Sequence, residues 1–176
     1  LHCIPMSSAD LSAGLTLILV RHSQAEDATP RVPDCERALT DQGIKRMNQA
    51  ARGLRKLLGG VDAIITSPCT RAHGTARILS RALDRAPVEV LALLSPGATP
   101  EELTQWLATQ PTEGVRMLVG HEPDLSRLVS WLCAGRKTPL IEMKKGAACA
   151  LRFEGAVDKA RGTIIWLMNQ AQLRKL

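Results

Sequence analysis

Two histidines and two arginines are the residues whose types and surroundings could do chemistry in this chain. They fall in three short polar clusters: Arg21-His22-Ser23-Gln24-Ala25-Glu26, Ser67-Pro68-Cys69-Thr70-Arg71-Ala72 and Gly120-His121-Glu122-Pro123. A phosphoryl group is doubly anionic, with oxygens that accept hydrogen bonds from several directions, and this inventory suits it. The guanidinium forks of Arg21 and Arg71 bind such oxygens in pairs. A helix opening at Ser67-Pro68 would turn free N–H groups toward the same anion. A neutral imidazole at His22 can attack phosphorus in line and form a phosphoramidate that water then hydrolyses. A second imidazole, His121, best serves when protonated, donating a hydrogen bond where charge accumulates in the transition state. Those opposed protonation states would bracket a mildly acidic to neutral working range.

Clusters so far apart in sequence need a scaffold to gather them. Each follows an apolar, β-rich run, and such runs occur at Leu15–Val20, Val61–Thr66, Val88–Leu94, Val115–Val119, Ala147–Phe153 and Thr163–Met168. Helical patterns alternate with the first five. One runs from Thr40 to Leu58, with Ile44, Met47, Ala51, Leu54 and Leu58 on one face and Gly59-Gly60 ending it. A second opens at Ser67-Pro68, read as a cap followed by proline at the first helical position. Thr99-Pro100-Glu101-Glu102 reads as a capping box, and a fourth helix follows Glu122-Pro123. Strands alternating with helices imply a mostly parallel sheet covered on both faces, a three-layer α/β/α sandwich with an antiparallel pair at one edge. In such sheets ligands bind beyond the carboxyl ends of the strands, where all three clusters fall.

The remaining sequence constrains the partners. The chain of 176 residues fits a single domain over residues 15–176, behind an extension at 1–14 that contains His2. A net charge of +6 favours an anionic partner. Nucleic acid fits poorly, because aromatic residues make up only 2% and the basic residues are scattered. The longest early apolar run is too short to span a membrane. The five cysteines, Cys3, Cys35, Cys69, Cys133 and Cys149, are odd in number and lack CxxC spacing. They read as free thiols in a reducing, cytoplasmic compartment, with neither a disulfide framework nor a metal site. No cofactor motif is present, so activity is expected to survive chelation. His73 reads as a surface residue and Ser67 as a cap.

At the segments LVRHSQA, ERALTDQG, ITSPCTRAHGTA, LVGHEPDLS and GTIIWLM the sequence resembles the histidine phosphatase superfamily, most of all its compact SixA-like phosphohistidine phosphatases. The resemblance spans residues 15–170. It implies His22 as the phosphorylated nucleophile, with Arg21, Arg71 and His121 completing the phosphate pocket. Two departures stand out. Ser23 replaces the glycine usual after the Arg-His pair, and no carboxylate occupies Leu93–Ala98, where larger relatives with ester substrates carry a proton donor. Glu26, Glu101 and Glu102 remain as weak candidates for that acid. The expected substrate is therefore a phosphorylated protein, such as a histidine phosphorelay domain. The alternatives are a general phosphomonoesterase acting on small metabolites or on phosphoserine, phosphothreonine or phosphotyrosine, and a non-catalytic phosphate-binding module.

Overall fold

A computed structural model describes residues 14–176 of the chain. Almost all of the expected extension, with His2 and Cys3, lies outside the described residues. In order the elements are β1 (Leu15–Arg21), α1 (Asp41–Leu58), β2 (Ala63–Thr66), α2 (Thr70–Ala82), β3 (Val88–Val90), α3 (Pro100–Leu107), β4 (Gly114–Gly120), α4 (Asp124–Ala134), β5 (Ala148–Phe153), β6 (Thr163–Met168) and α5 (Gln170–Leu173). Two 3-10 turns, Asp34–Glu36 and Ala92–Leu94, interrupt the connections.

The strands form one sheet in the order β3-β2-β4-β1-β5-β6. β1, β2, β3 and β4 pair in parallel, while β5 runs antiparallel to β1 and to β6. Every residue of β1 except Arg21 is buried, as expected of a central strand covered on both faces. Its side chains alternate between two cores. Ile18 and Val20 join Met47, Leu54, Ile64, Leu79, Met117 and Leu173 under α1, α2 and α5. Leu15, Leu17 and Leu19 join Ile65, Leu103, Leu118, Leu128 and Phe153 under α3 and α4. Each fully buried aliphatic side chain contributes about 1.5–3 kcal/mol. This double core fixes the sheet that presents the strand ends, and it bears out the three-layer sandwich.

Local corrections have physical causes. α2 begins at Thr70 rather than at Ser67-Pro68, because Cys69 takes the extended cap conformation and its N–H meets the Ser67 hydroxyl at 3.2 Å. The third strand ends at Val90, since the chain coils into the Ala92–Leu94 turn to bury Leu94. Ile44 is exposed, and the buried face of α1 is instead led by Gly43, Met47, Ala50, Ala51 and Leu54. The Thr99–Glu102 capping box forms as read. The cysteine reading needs the largest correction. Cys35 and Cys69, 34 positions apart, are joined in a disulfide that ties the Asp34–Glu36 turn to the N-terminus of α2. With it falls the cysteine argument for a reducing compartment. Cys133 and Cys149 form no disulfide among the described residues, and burial pushes their thiols up to about 11 and about 12. No helix among the described residues is long and apolar enough to cross a membrane.

Candidate active site

Sheet register gathers the three clusters. Arg21 lies beside Gly120 in the β1–β4 pairing, and Thr66 lies beside Val119 in the β2–β4 pairing. The residues that follow continue the ladder. The His22 amide donates to the Gly120 carbonyl at 3.1 Å, and the Ser67 amide donates to the Val119 carbonyl at 3.1 Å. His22, Ser67 and His121 therefore emerge side by side at the carboxyl edge of three adjacent parallel strands. The two imidazole rings stand 5.2 Å apart, tilted by 55°. Both are almost wholly buried.

The contacts of His22 fix its chemistry. Nδ1 lies 2.8 Å from the Ser23 carbonyl, which can only accept, so Nδ1 carries the proton. Nε2 lies 3.3 Å from Nε of Arg71, which can only donate, so a lone pair resides on Nε2. The ring is thus neutral, with one nucleophilic nitrogen facing an arginine. Burial, followed by the charges of His121, Arg71 and Arg21, lowers its pKa to about 3, although the Ser23 carbonyl pulls the other way. Arg71 itself is only 3% exposed. Besides its contact with His22, it donates Nη1 to the Asp34 carbonyl and Nη2 to the Asp34 carboxylate at 2.8 Å. Arg21 donates Nη1 to the Met143 carbonyl at 2.8 Å, and its buried Nε has no partner among the described residues.

His121 is held by Ser67, whose hydroxyl lies 2.8 Å from Nε2. That hydroxyl already accepts the Cys69 N–H, and its own hydrogen is free for Nε2. The proton of a neutral His121 then sits on Nδ1, a buried atom without a partner among the described residues. Burial and then Arg71 lower the pKa of His121 to about 4, with Asp34 opposing. Their own surroundings therefore hold both rings neutral at neutral pH, which matches the expectation for His22 and not, by itself, the protonated state expected of His121. A bound dianion would be needed to raise His121.

Other candidates lie elsewhere. Glu26 is exposed, Glu101 pairs with Lys137 at 2.5 Å, and Glu102 is committed to the Thr99 cap. His73 is half-buried on α2 and makes none of the site contacts. Ser23 turns away from the pocket. Its hydroxyl donates to the Gly43 carbonyl at 2.9 Å and accepts from Gln170 Nε2 at 2.9 Å, so it ties the end of β1 to α1 and α5.

Two site residues escaped the sequence reading. Ser67 positions His121 rather than capping α2. Asp34 reaches Arg71 from a turn with no strand or helix pattern, where Pro33-Asp34 is the only local signal, and that signal marks a turn rather than a partner. The Asp34 carboxyl is held below the usual range, first by Arg37 and then by Arg71, so it is ionised. Glu122, half-buried, accepts the Ser126 N–H at 3.2 Å, and burial raises its pKa. Among the described residues no group of three or more His, Cys, Asp or Glu is arranged to hold a metal ion.

Residues 17–95 match the histidine phosphatase superfamily (branch 1), and the chain belongs to that superfamily. It is a phosphatase, a hydrolase working through a histidine. An uncharacterized protein of Picosynechococcus sp. is 32% identical over 146 residues, covering 81% of this chain and 87% of its own. In fold the chain is similar to the protein histidine phosphatase SixA complexed with tungstate, with a TM-score of 0.77 and 23% identity over 90% of this chain and 99% of that one. A phosphoglycerate mutase from Plasmodium falciparum shares the fold at a TM-score of 0.65 and 17% identity, covering 91% of this chain and 93% of that one.

Proposed function

We propose that the protein hydrolyses phosphohistidine on a protein, with His22 Nε2 as the nucleophile. The observation that carries the reading is the fixed tautomer of His22: a neutral ring whose only lone pair faces Arg71. In-line attack transfers the phosphoryl group to Nε2 and expels the leaving group. Arg21 and Arg71 balance the charge on the equatorial oxygens. The unpartnered His121 Nδ1 supplies a further donor to those oxygens. Water then attacks the phosphohistidine and regenerates His22. The SixA structure with tungstate, a tetrahedral oxyanion, supports an oxyanion pocket in this fold. A chain of net charge +6 favours an acidic protein partner, such as a histidine phosphorelay domain.

The leaving group selects the substrate class. An alkyl phosphate releases a basic alkoxide, and protonating it through a general acid accelerates cleavage by roughly 10²–10⁴-fold. Glu101 and Glu102 are engaged elsewhere, and Asp34 is ionised. Phosphohistidine needs less help, because its departing imidazole can leave neutral. Phosphohistidine peptides and aryl phosphates should therefore turn over at least about a hundredfold faster than phosphoserine peptides or sugar phosphates. The phosphomonoesterase alternative has one observation in its favour, the raised pKa of Glu122 beside His121. Rates measured across leaving groups for the wild type and Glu122→Gln decide between the two. Fast alkyl phosphate cleavage that Glu122→Gln selectively slows would establish the esterase.

A further inference from the structure

We propose that Cys35 and Cys69 form a redox-reversible gate on the phosphate pocket, closed when oxidised and open when reduced. The inference rests on Arg71 as the phosphate ligand of the proposed reaction. In the oxidised chain every nitrogen of that guanidinium is engaged: Nε with His22, Nη1 with the Asp34 carbonyl and Nη2 with the Asp34 carboxylate. Asp34 thus takes one N–H from each terminal nitrogen, leaving one on each, and it places a negative charge beside the guanidinium that an anion must reach. Cys35 is the next residue, and its bond to Cys69 fastens this segment to the cap of α2. Cys69 in turn donates its N–H to the Ser67 hydroxyl that holds His121. The disulfide therefore joins the blocking segment directly to the catalytic cradle.

Besides the disulfide, the segment is anchored just beyond the turn, where Arg37 Nη1 donates to the Glu26 carbonyl at 2.6 Å and the Glu26 N–H donates to the Ala38 carbonyl at 2.9 Å. The Asp34–Glu36 turn buries none of its own residues, and the Asp34 side chain is 59% exposed. Its pairing with Arg37 is an exposed contact of the kind that contributes little on its own. Tethering keeps Asp34 at high effective concentration beside Arg71, and cutting the tether leaves a solvated pair for a dianion to displace. The bond is also placed for exchange, since Cys35 is exposed whereas Cys69 is buried. One thiolate of a dithiol reductant attacks Sγ of Cys35, the S–S bond breaks, and Cys69 leaves as a thiolate at a helix N-terminus, where an anion is stabilised. The second thiolate of the reductant displaces Cys35. The reductant ends as a disulfide, and the protein gains two electrons and two protons.

The test uses the whole chain, oxidised with diamide or reduced with dithiothreitol. Thiols are counted by alkylation and mass, inorganic phosphate binding by calorimetry, and turnover with an aryl phosphate. Reduction should expose two further thiols and tighten phosphate binding about tenfold, with KM falling alongside. Cys35→Ser should match the reduced protein whatever the oxidant. Asp34→Asn, which keeps the disulfide, should bind phosphate more tightly when oxidised and show a smaller response to reduction, and it serves if the cysteine variant folds poorly. Equal phosphate affinity in the two redox forms would overturn the gate, with or without a fall in melting temperature. Weaker binding on reduction, or a disulfide that resists dithiothreitol in the folded protein, would overturn it equally. Absence of turnover in both forms, with phosphate affinity still redox-dependent, would sink the phosphatase reading and leave the gate standing.

Discussion

His22 illustrates how contacts suit a side chain of ordinary chemistry to the nucleophilic role proposed for it. The Ser23 carbonyl fixes one nitrogen as the donor, and Arg71 leaves the other as a lone pair. Burial then suppresses protonation well below the usual histidine range, to about 3. Attack needs that lone pair, so His22→Ala should reduce turnover by at least about 10³-fold while circular dichroism shows the fold intact. The wild type quenched during turnover should carry acid-labile, alkali-stable phosphate on His22. Normal activity in His22→Ala, or phosphate trapped on a different residue, would remove the covalent mechanism. At this scale the clustering of Arg21, His22, Arg71 and His121 was legible because each lies at the end of a strand run or within a few residues of one. Asp34 was not, because a residue in an irregular turn declares its partner only when the chain is folded. The disulfide was equally hidden, since an odd set of cysteines without CxxC spacing gives no reason to pair Cys35 with Cys69.

The elements hold these residues through a few close approaches. The N-terminus of α1 packs against the loop that follows β1, where Thr40 donates its amide to the Gln24 carbonyl at 3.1 Å and Ser23 donates to the Gly43 carbonyl. A Cβ on Gly43 would come within 2.1 Å of the Gln24 oxygen, a backbone atom that cannot yield without moving the segment after His22. Alanine improves helix propensity by roughly 1 kcal/mol. Overpacking of this kind costs about 1–3 kcal/mol or more, and an approach this short lies at the upper end. Gly43→Ala should therefore be destabilised by about 1–2 kcal/mol in urea unfolding and lose turnover, whereas Gly60→Ala, with nothing within 4 Å, should stay within about 0.5 kcal/mol of wild type. An active Gly43→Ala of undiminished stability would show that α1 does not set the β1 loop. The sequence pattern located α1, α3 and α4 and the edge strand β6 well, because apolar periodicity and caps are local signals. It misplaced the start of α2 because Ser-Pro is a common helix opening, and here the serine hydroxyl is drawn instead toward His121 and the Cys69 amide.

For the whole molecule, burying two neutral imidazoles at the sheet edge makes stability depend on pH. Unfolded, each histidine titrates near 6.5, while folded they titrate near about 3 for His22 and about 4 for His121. Both folded values are depressed, so between these limits the unfolded chain binds protons that the native chain refuses. The sign follows directly: the contribution is fully present above pH 6.5 and is lost as pH falls toward 4 and then 3. Each histidine gives a slope of up to about 1.4 kcal/mol per pH unit within its window. Carboxylates with lowered pKa, Asp34 among them, act only at the acid end of that range, so the early loss belongs to the histidines. Urea unfolding at a series of pH values should show stability falling from about pH 6.5, well before carboxylates protonate. His22→Gln and His121→Gln, which cannot charge, should each flatten the profile between pH 6 and 4 even if they lower stability at neutral pH. Saturating inorganic phosphate should also oppose the loss, because an anion held by Arg21, Arg71 and a protonated His121 favours the charged ring in the folded state. A profile flat from pH 7 to 4, or one unchanged in both glutamine variants, would show that the two rings are not held neutral by the fold.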